Sequence, residues 1–548
     1  MTKHTLSLPS WPFYGSILIL SSIYYGLYFN SGFSAADDGN YAQIAYELYL
    51  GRAPEELSIN YGILWFKIGE ALFHAFGVNY VLVKGLFFSV ITVTNLLIFY
   101  TISLATGNRS LAVAMTAIPA LIPAFPATAF YGLCVLMNAA AQMRLASKLQ
   151  NCTWRSAAIA GAALSVSFQI RPDFGYIFSV SLITLLALAA FQGDRTKKAR
   201  NLFGAAGIAF LAAQVPLLLS ATLGGYADLV LQQYLSYPVT MMDYAISGVQ
   251  NLFGSNATQL DSPGSTSLRR PGLLAIFSDN SDASRLATLI YAPIVAVTGF
   301  LVISAISVRR LWTSGKSDTV AKAIVCFFSA AAAMPHYFFY RPDLAHVANF
   351  MPGYTVLAAA MLAWLMRTYY SEESNWVRVA SAAAVLALAL HMGTYLMAGL
   401  NTPGTGSVAG ARDRTEIFQA SNGVDVNVSP AEKSQLEFIR DIIAENSEPG
   451  GRIVCVPYCP GFAFMADRQM LFGNFYVDNS TPLLIPDWIP NAISQTAASR
   501  PPIIIVMDWA INGTEASRFS NWAPEYMLRV EQLSRHKVVR PGLTVYIL

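Results

Sequence analysis

Eleven apolar runs, each near the length of a membrane-spanning helix, constrain this chain more than any other feature. They fall at about 11–30, 79–105, 110–124, 127–146, 156–170, 174–192, 202–223, 286–308, 319–338, 347–366 and 379–399. About 20 apolar residues cross the hydrocarbon core as a helix, and fewer suffice where a helix borders a cavity. Only 12% of the residues are charged, against about 25% in a soluble domain. With a mean hydropathy of +0.44, the chain lacks the polar surface to cover a water-soluble globule. The expectation is a mainly α, polytopic membrane protein with about eleven transmembrane helices.

Lys3 and His4 precede the first run with no small-residue cleavage site, so 11–29 reads as a retained span and not a signal peptide. The stretch 61–76, "YGILWFKIGEALFHAF", carries Lys67, Glu70 and His74 and reads as an interfacial helix lying on the membrane. The net charge of +3, without a polybasic tail, gives no case for nucleic acid.

Basic residues then set the orientation. With the N-terminus inside, the inner loops hold Arg109; Arg144, Lys148 and Arg155; Arg195, Lys197, Lys198 and Arg200; Arg309, Arg310 and Lys316; and Arg367 and Arg378. An odd number of spans puts the C-terminus outside. Three large pieces then face the outer side: 31–78, 224–285, and everything after about 400.

The chain divides into a membrane module (1–399), a Gly/Thr/Ser/Asn-rich linker (400–428) and a small extracytoplasmic α/β domain (429–548). In that domain Ser429-Pro430-x-Glu432 has the form of a capping box with proline at the first helical position. "GRIVCVPY", "PPIIIVMD" and "LTVYIL" are strand-like runs. Cys455 and Cys459 can pair in an oxidising compartment; Cys134 and Cys326, in apolar segments, read as inert packing residues.

Three ionisable clusters share the outer side under this topology. Asp37 and Asp38 follow the first span; Arg171-Pro172-Asp173 and Arg341-Pro342-Asp343 each link two spans, the latter flanked by His336 and His346. Proline breaks the helix at both turns and frees backbone groups that need polar partners or water. Plainer readings stand beside each: Asp38 as a helix cap, the two turns as ion pairs pinning helix ends, both histidines as interfacial groups, Lys84 snorkelling to the headgroups, His391 as a helix-contact residue. Taken together, an acid pair and two guanidinium groups suit a lipid-borne phosphate and a proton-accepting base.

The stretch "DDGNYAQIAYE", Asp37 to Glu47, resembles the first-outer-loop signature of GT-C membrane glycosyltransferases, among them the lipid A aminoarabinose transferases and the protein O-mannosyltransferase-like family (glycosyltransferase family 39-like). "GVNYVLVKGLFF" from Gly77 is similar to their second helix, and "CVPYCPGFAFMADRQ" to the start of their C-terminal domain. The chain departs from the aminoarabinose transferases at Asn60-Tyr61-Gly62-Ile63, where they carry Lys-Pro-Pro-Leu, and Glu55 and Glu56 are left without an assigned role.

The resemblance implies transfer of a hexose or pentose from a polyprenyl-phosphate donor to a glycan, lipid or protein acceptor on the periplasmic face of the inner membrane, with inversion. By position, Asp37 matches the catalytic acid and Asp38 its neighbour. Arg171, Arg341, Lys84 and His346 would bind the donor phosphate, with Asp173, Asp343, Tyr41 and His336 in support. The resemblance fixes no cofactor; some relatives use a divalent cation, Mg or Mn, and here Asp37, Asp38 and Asp173 would be its oxygen ligands. The rival readings are a transporter or flippase of the cell-envelope lipid or glycan pathway, and a scaffold for polysaccharide assembly.

Overall fold

The computed structural model describes residues 11–548 other than 58, 60–61, 122–125, 192–194, 237–238, 240–241, 243–280, 336–343, 372–373, 402–405, 480 and 511–514. Each of the eleven apolar runs holds a helix among its described residues: α1 (Trp11–Gly26), α4 (Tyr80–Thr106), α5 (Arg109–Leu121), α6 (Phe130–Ala146), α7 (Trp154–Ile170), α8 (Pro172–Ala190), α9 (Arg195–Leu223), α10 (Ser281–Thr313), α11 (Ser317–Pro335), α12 (Leu344–Ser371) and α13 (Asn375–Asn401). Between α1 and α4 lie α2 (Asp37–Tyr49) and α3 (Ile63–Phe76). Among the described residues, seven of these helices are long and apolar enough to cross a membrane. The other four, α1, α5, α6 and α7, have 16, 13, 17 and 17 residues.

Large apolar side chains such as Leu20, Ile23, Ile208, Leu211, Leu219 and Leu223 stand exposed along α1 and α9. Exposure on that scale suits a hydrocarbon solvent, and the chain is an integral membrane protein. Inside the bundle small residues let backbones meet: a Cβ on Gly161 of α7 would stand 2.1 Å from the Ala206 carbonyl of α9. His391 packs edge-on against the rings of Tyr354 and Tyr395, the helix contact expected for it, but neither of its ring nitrogens has a hydrogen-bond partner.

Helix α3 buries Ile63, Trp65, Phe66, Gly69 and Phe73 while Lys67 pairs with Glu70 at 2.7 Å, so its two faces differ in polarity as the sequence suggests. Its apolar face receives Tyr41 of α2. That ring packs on Trp65, Phe66 and Phe87, and its hydroxyl donates to the Trp65 carbonyl at 2.8 Å. Tyr41, expected to support the site, is therefore the anchor that fixes α2 on α3 and α4.

Residues 416–428, read above as part of a linker, form a hairpin of β1 (Glu416–Ala420) and β2 (Val424–Val428). Alternation of Val424, Val426 and Val428 buries one face of β2. The hairpin grips the membrane module: Asn427 exchanges backbone bonds with Asn30 and Gly32, and the Asn422 carbonyl accepts from Tyr80 N at the start of α4.

Helix α14 (Pro430–Asn446) begins with the capping box read from the sequence, Ser429 and Glu432 bonding each other's backbone. The three strand-like runs are β3 (Arg452–Val456), β5 (Ile503–Met507) and β7 (Leu543–Ile547). With β4 (Gln469–Met470) and β6 (His536–Arg540) they make a sheet of order β4-β3-β5-β7-β6, parallel from β4 to β5 and antiparallel beyond.

Candidate active site

Helix α2 opens on the two acids themselves, which favours carboxylates in its first turn through the helix dipole. Neither acid caps the helix from Ala36, where no side-chain cap bond forms. Asp38 is 2% exposed and accepts from Ala127 N at 3.2 Å, an anchor 89 residues away in the turn before α6. Burial raises its carboxyl to about 7; the charge of Lys84 and the Ala127 bond oppose that shift, and the neighbouring Asp37 charge adds to it. Asp37 is only partly buried, and its Oδ1 accepts from the Tyr458 hydroxyl at 3.1 Å. The two acids thus differ in exposure and partners, one sealed into the protein and one reachable from outside.

Lys84 is 4% exposed, so it does not snorkel. Its Nζ donates to the Ser31 and Gly32 carbonyls, each at 3.0 Å, and its charge bears on Asp38. Arg414, which pairs with Glu432 at 3.1 Å, reaches the Ser31 hydroxyl at 3.4 Å from the C-terminal side. Lys84 and the acid pair are thereby brought into one neighbourhood, at the junction of the bundle and the C-terminal domain.

The first Arg-Pro-Asp turn has a different character. Arg171 is fully buried, donates through Nε and Nη2 to both Asp173 oxygens at 2.8 and 3.2 Å, and lies 4.2 Å over the Tyr131 ring. Pro172 is the first residue of α8, where its missing N–H costs nothing. This fork-to-carboxylate pair pins the α7–α8 corner, the plainer of the two readings. Arg341, Asp343 and His336 lie outside the described residues, as does the side chain of His346 in the first turn of α12. Among the described residues no group of three or more His, Cys, Asp or Glu is placed to hold a metal ion. Asp37, Asp38 and Asp173 therefore form no such group, and Asp173 is held by Arg171.

Two participants carry no role in the sequence reading. Glu47, the last residue of the quoted motif, is completely buried; it accepts from Met470 N at 2.6 Å and Gln43 Nε2 at 2.8 Å, with Arg52 at 3.5 Å. Burial raises its pKa against those stabilising contacts. Gln43 also donates to the Arg468 carbonyl at 3.0 Å, so one face of α2 is bonded into the C-terminal domain. Tyr458 is the second. It sits inside the Cys-x-x-x-Cys loop, and Cys455 and Cys459 are joined as a disulfide. A tyrosine enclosed by two cysteines four positions apart is the signal that marks it.

Beyond Ala127 a small hollow lies between α1, α4, α5, α6 and α12. Tyr25, Tyr28, Asn95, Ala129 and Asn349 line it. Its polar groups are phenols, amides and the Thr94 hydroxyl, and it begins two residues past the group that holds Asp38.

No protein-family model and no curated protein matches the sequence. Among solved structures, the crystal structure of ArnT from Cupriavidus metallidurans bound to undecaprenyl phosphate matches with a TM-score of 0.50 and 12% identity, over 98% of this chain and 97% of that one. A bundle of eleven apolar helices with an α/β domain bonded to its first long loop, alike over nearly its full length to ArnT, gives this chain the GT-C fold.

Proposed function

We propose that the protein is a membrane glycosyltransferase that moves a sugar from a polyprenyl-phosphate donor to a hydroxyl acceptor at the extracytoplasmic face. The reading is carried by one arrangement within a GT-C fold: a partly exposed carboxylate, Asp37, beside a sealed one, Asp38, with the Lys84 ammonium held next to it. The ArnT likeness supports a lipid-phosphate donor, since that protein was crystallised with undecaprenyl phosphate.

The reaction is a single in-line displacement. The acceptor oxygen forms its bond to the anomeric carbon as the bond to the phosphate oxygen breaks; Asp37 takes the hydroxyl proton, and polyprenyl phosphate leaves with the bonding electrons, inverting the anomeric centre. Asp38 is buried on Ala127 N, which leaves the partly exposed Asp37 as the base. Lys84 spends two donors on backbone carbonyls and keeps one for the leaving phosphate. Arg341 and His346 are assigned to the same phosphate; Arg171 is not, because its fork is engaged by Asp173. The Cys455–Cys459 disulfide supports an oxidising compartment for the C-terminal domain, and with it the orientation given by the basic loops.

Mass spectrometry of cell-envelope glycans from cells with and without the protein tests this directly. A hexose or pentose missing from one glycan, lipid or protein is the expected result, and it names donor and acceptor together. An unchanged envelope under conditions of full expression would contradict it.

A further inference from the structure

The base assigned above belongs to the membrane module, yet the group that touches it comes from the other end of the chain. Tyr458 Oη donates to Asp37 Oδ1 at 3.1 Å across 421 positions. Its loop is immobilised on every side. Cys455 and Cys459, both buried, close it as a disulfide. Pro457 O accepts from Val477 N at 3.0 Å, and the Tyr458 ring meets Tyr476 edge-on at 5.0 Å. Tyr476 is in turn held by its bond to Asp478 at 2.8 Å. Just beyond, Gly461 N donates to the Ala35 carbonyl at 2.8 Å, so the loop is docked on the chain two residues before Asp37.

We propose that Tyr458 is a positioning residue for the transfer reaction, and that the Cys455–Cys459 disulfide acts on the reaction through it, by presenting the phenol to Asp37. The proposal rests on the transferase reading. A carboxylate that must take a proton from an incoming hydroxyl has to hold one oxygen toward that hydroxyl. A fixed donor on the other oxygen sets the rotation of the group without consuming the reacting lone pair. The phenol delivers no proton to substrate and breaks no bond. The disulfide undergoes no change in the cycle; its part is to stop the loop relaxing away from α2, as a five-residue segment carrying Tyr458 otherwise would. The consequence is that the base is complete only when the C-terminal domain is docked and oxidised.

Transfer is measured in membrane vesicles, with graded amounts of lipid extract from the producing cells as donor source, for the wild type, Tyr458→Phe, the pair Cys455→Ala/Cys459→Ala, and the triple variant. Tyr458→Phe keeps the ring and its Tyr476 contact. It should lower the maximal rate on the order of tenfold, the usual range for a hydrogen bond to a charged group, and leave the half-saturating donor amount unchanged. The cysteine pair should lose rate to a similar degree, and the triple variant should be no slower than the slower parent, because both changes remove one contact. Tyr458→Phe at the wild-type rate overturns the proposal, and this arm decides alone if the cysteine pair fails to fold. Losses that multiply, or a shift confined to donor half-saturation, also overturn it by making the loop a structural or donor-binding element. Absence of transfer by the wild type overturns the transferase reading itself and leaves the positioning role without a reaction.

Discussion

Gly39 of α2 and Gly461, in the short helix Gly461–Met465 after the disulfide loop, meet backbone to backbone: a Cβ built on Gly39 would stand 2.6 Å from Gly461 Cα and 2.6 Å from the Ser34 carbonyl. Both obstacles are main chain, so neither can swing aside. The glycine after the acid pair is therefore what allows the C-terminal domain to reach Asp37.

Gly39→Ala should cost about 1–3 kcal/mol, the usual penalty of overpacking a tight contact, and should show as a lower melting temperature in detergent. The Gly461 amide, bonded to the Ala35 carbonyl, should exchange its hydrogen faster. Insertion of the bundle should be untouched, because the apolar spans do not include this contact. A variant with wild-type melting and wild-type exchange at Gly461 would mean that the two backbones do not meet as described.

Asp38 gives stability a pH dependence with a definite sign. Its carboxyl is raised by burial from 3.8 to about 7. Between those values the folded state holds a proton that the unfolded chain has released, so stability is greatest below the unfolded value and falls as pH rises toward and through the folded one. The melting temperature should drop between about pH 4 and about pH 7, and Asp38→Asn should flatten that slope whatever it does to the absolute value. Buried Glu47, raised in the same direction, leaves a residual slope of the same sign in the variant. A steeper slope in Asp38→Asn would contradict the burial-driven shift.

The two arginines of the repeated tripeptide should behave differently. Arg171→Ala strands Asp173 in a buried corner and should cost about 3–5 kcal/mol, read as lost yield and early melting, while surviving protein keeps its donor half-saturation. Arg341→Ala should express normally and need on the order of tenfold more donor, the value of a charge-assisted phosphate bond. The reverse pattern would exchange their roles.

Much of the fold was legible because the strongest signals are local. Eleven apolar runs gave eleven helices, and Ser429 to Glu432 formed the capping box that its spacing suggests. The hairpin at 416–428 was hidden because its strands are short and polar on one side, like the Gly- and Asn-rich chain before them. The candidate site was half legible. The acid pair stands out beside a span, but nothing in the sequence says that Asp38 is sealed by Ala127 or that Glu47 bonds Met470, since those partners lie 89 and 423 positions away. The repeated Arg-Pro-Asp tripeptide suggested two equal sites. In the first, Arg171 is buried and its fork is bonded to the Asp173 carboxylate, partners that the tripeptide alone does not reveal.

The central claim, that the partly exposed acid is the base, is tested most directly by Asp37→Asn, which keeps shape and the ability to accept from Tyr458 but removes the proton-accepting charge. Mass spectrometry of the envelope from cells carrying only this variant, at wild-type protein level in the membrane, should show the transferred sugar gone, as in cells without the protein. Sugar transfer at the wild-type extent would contradict the account.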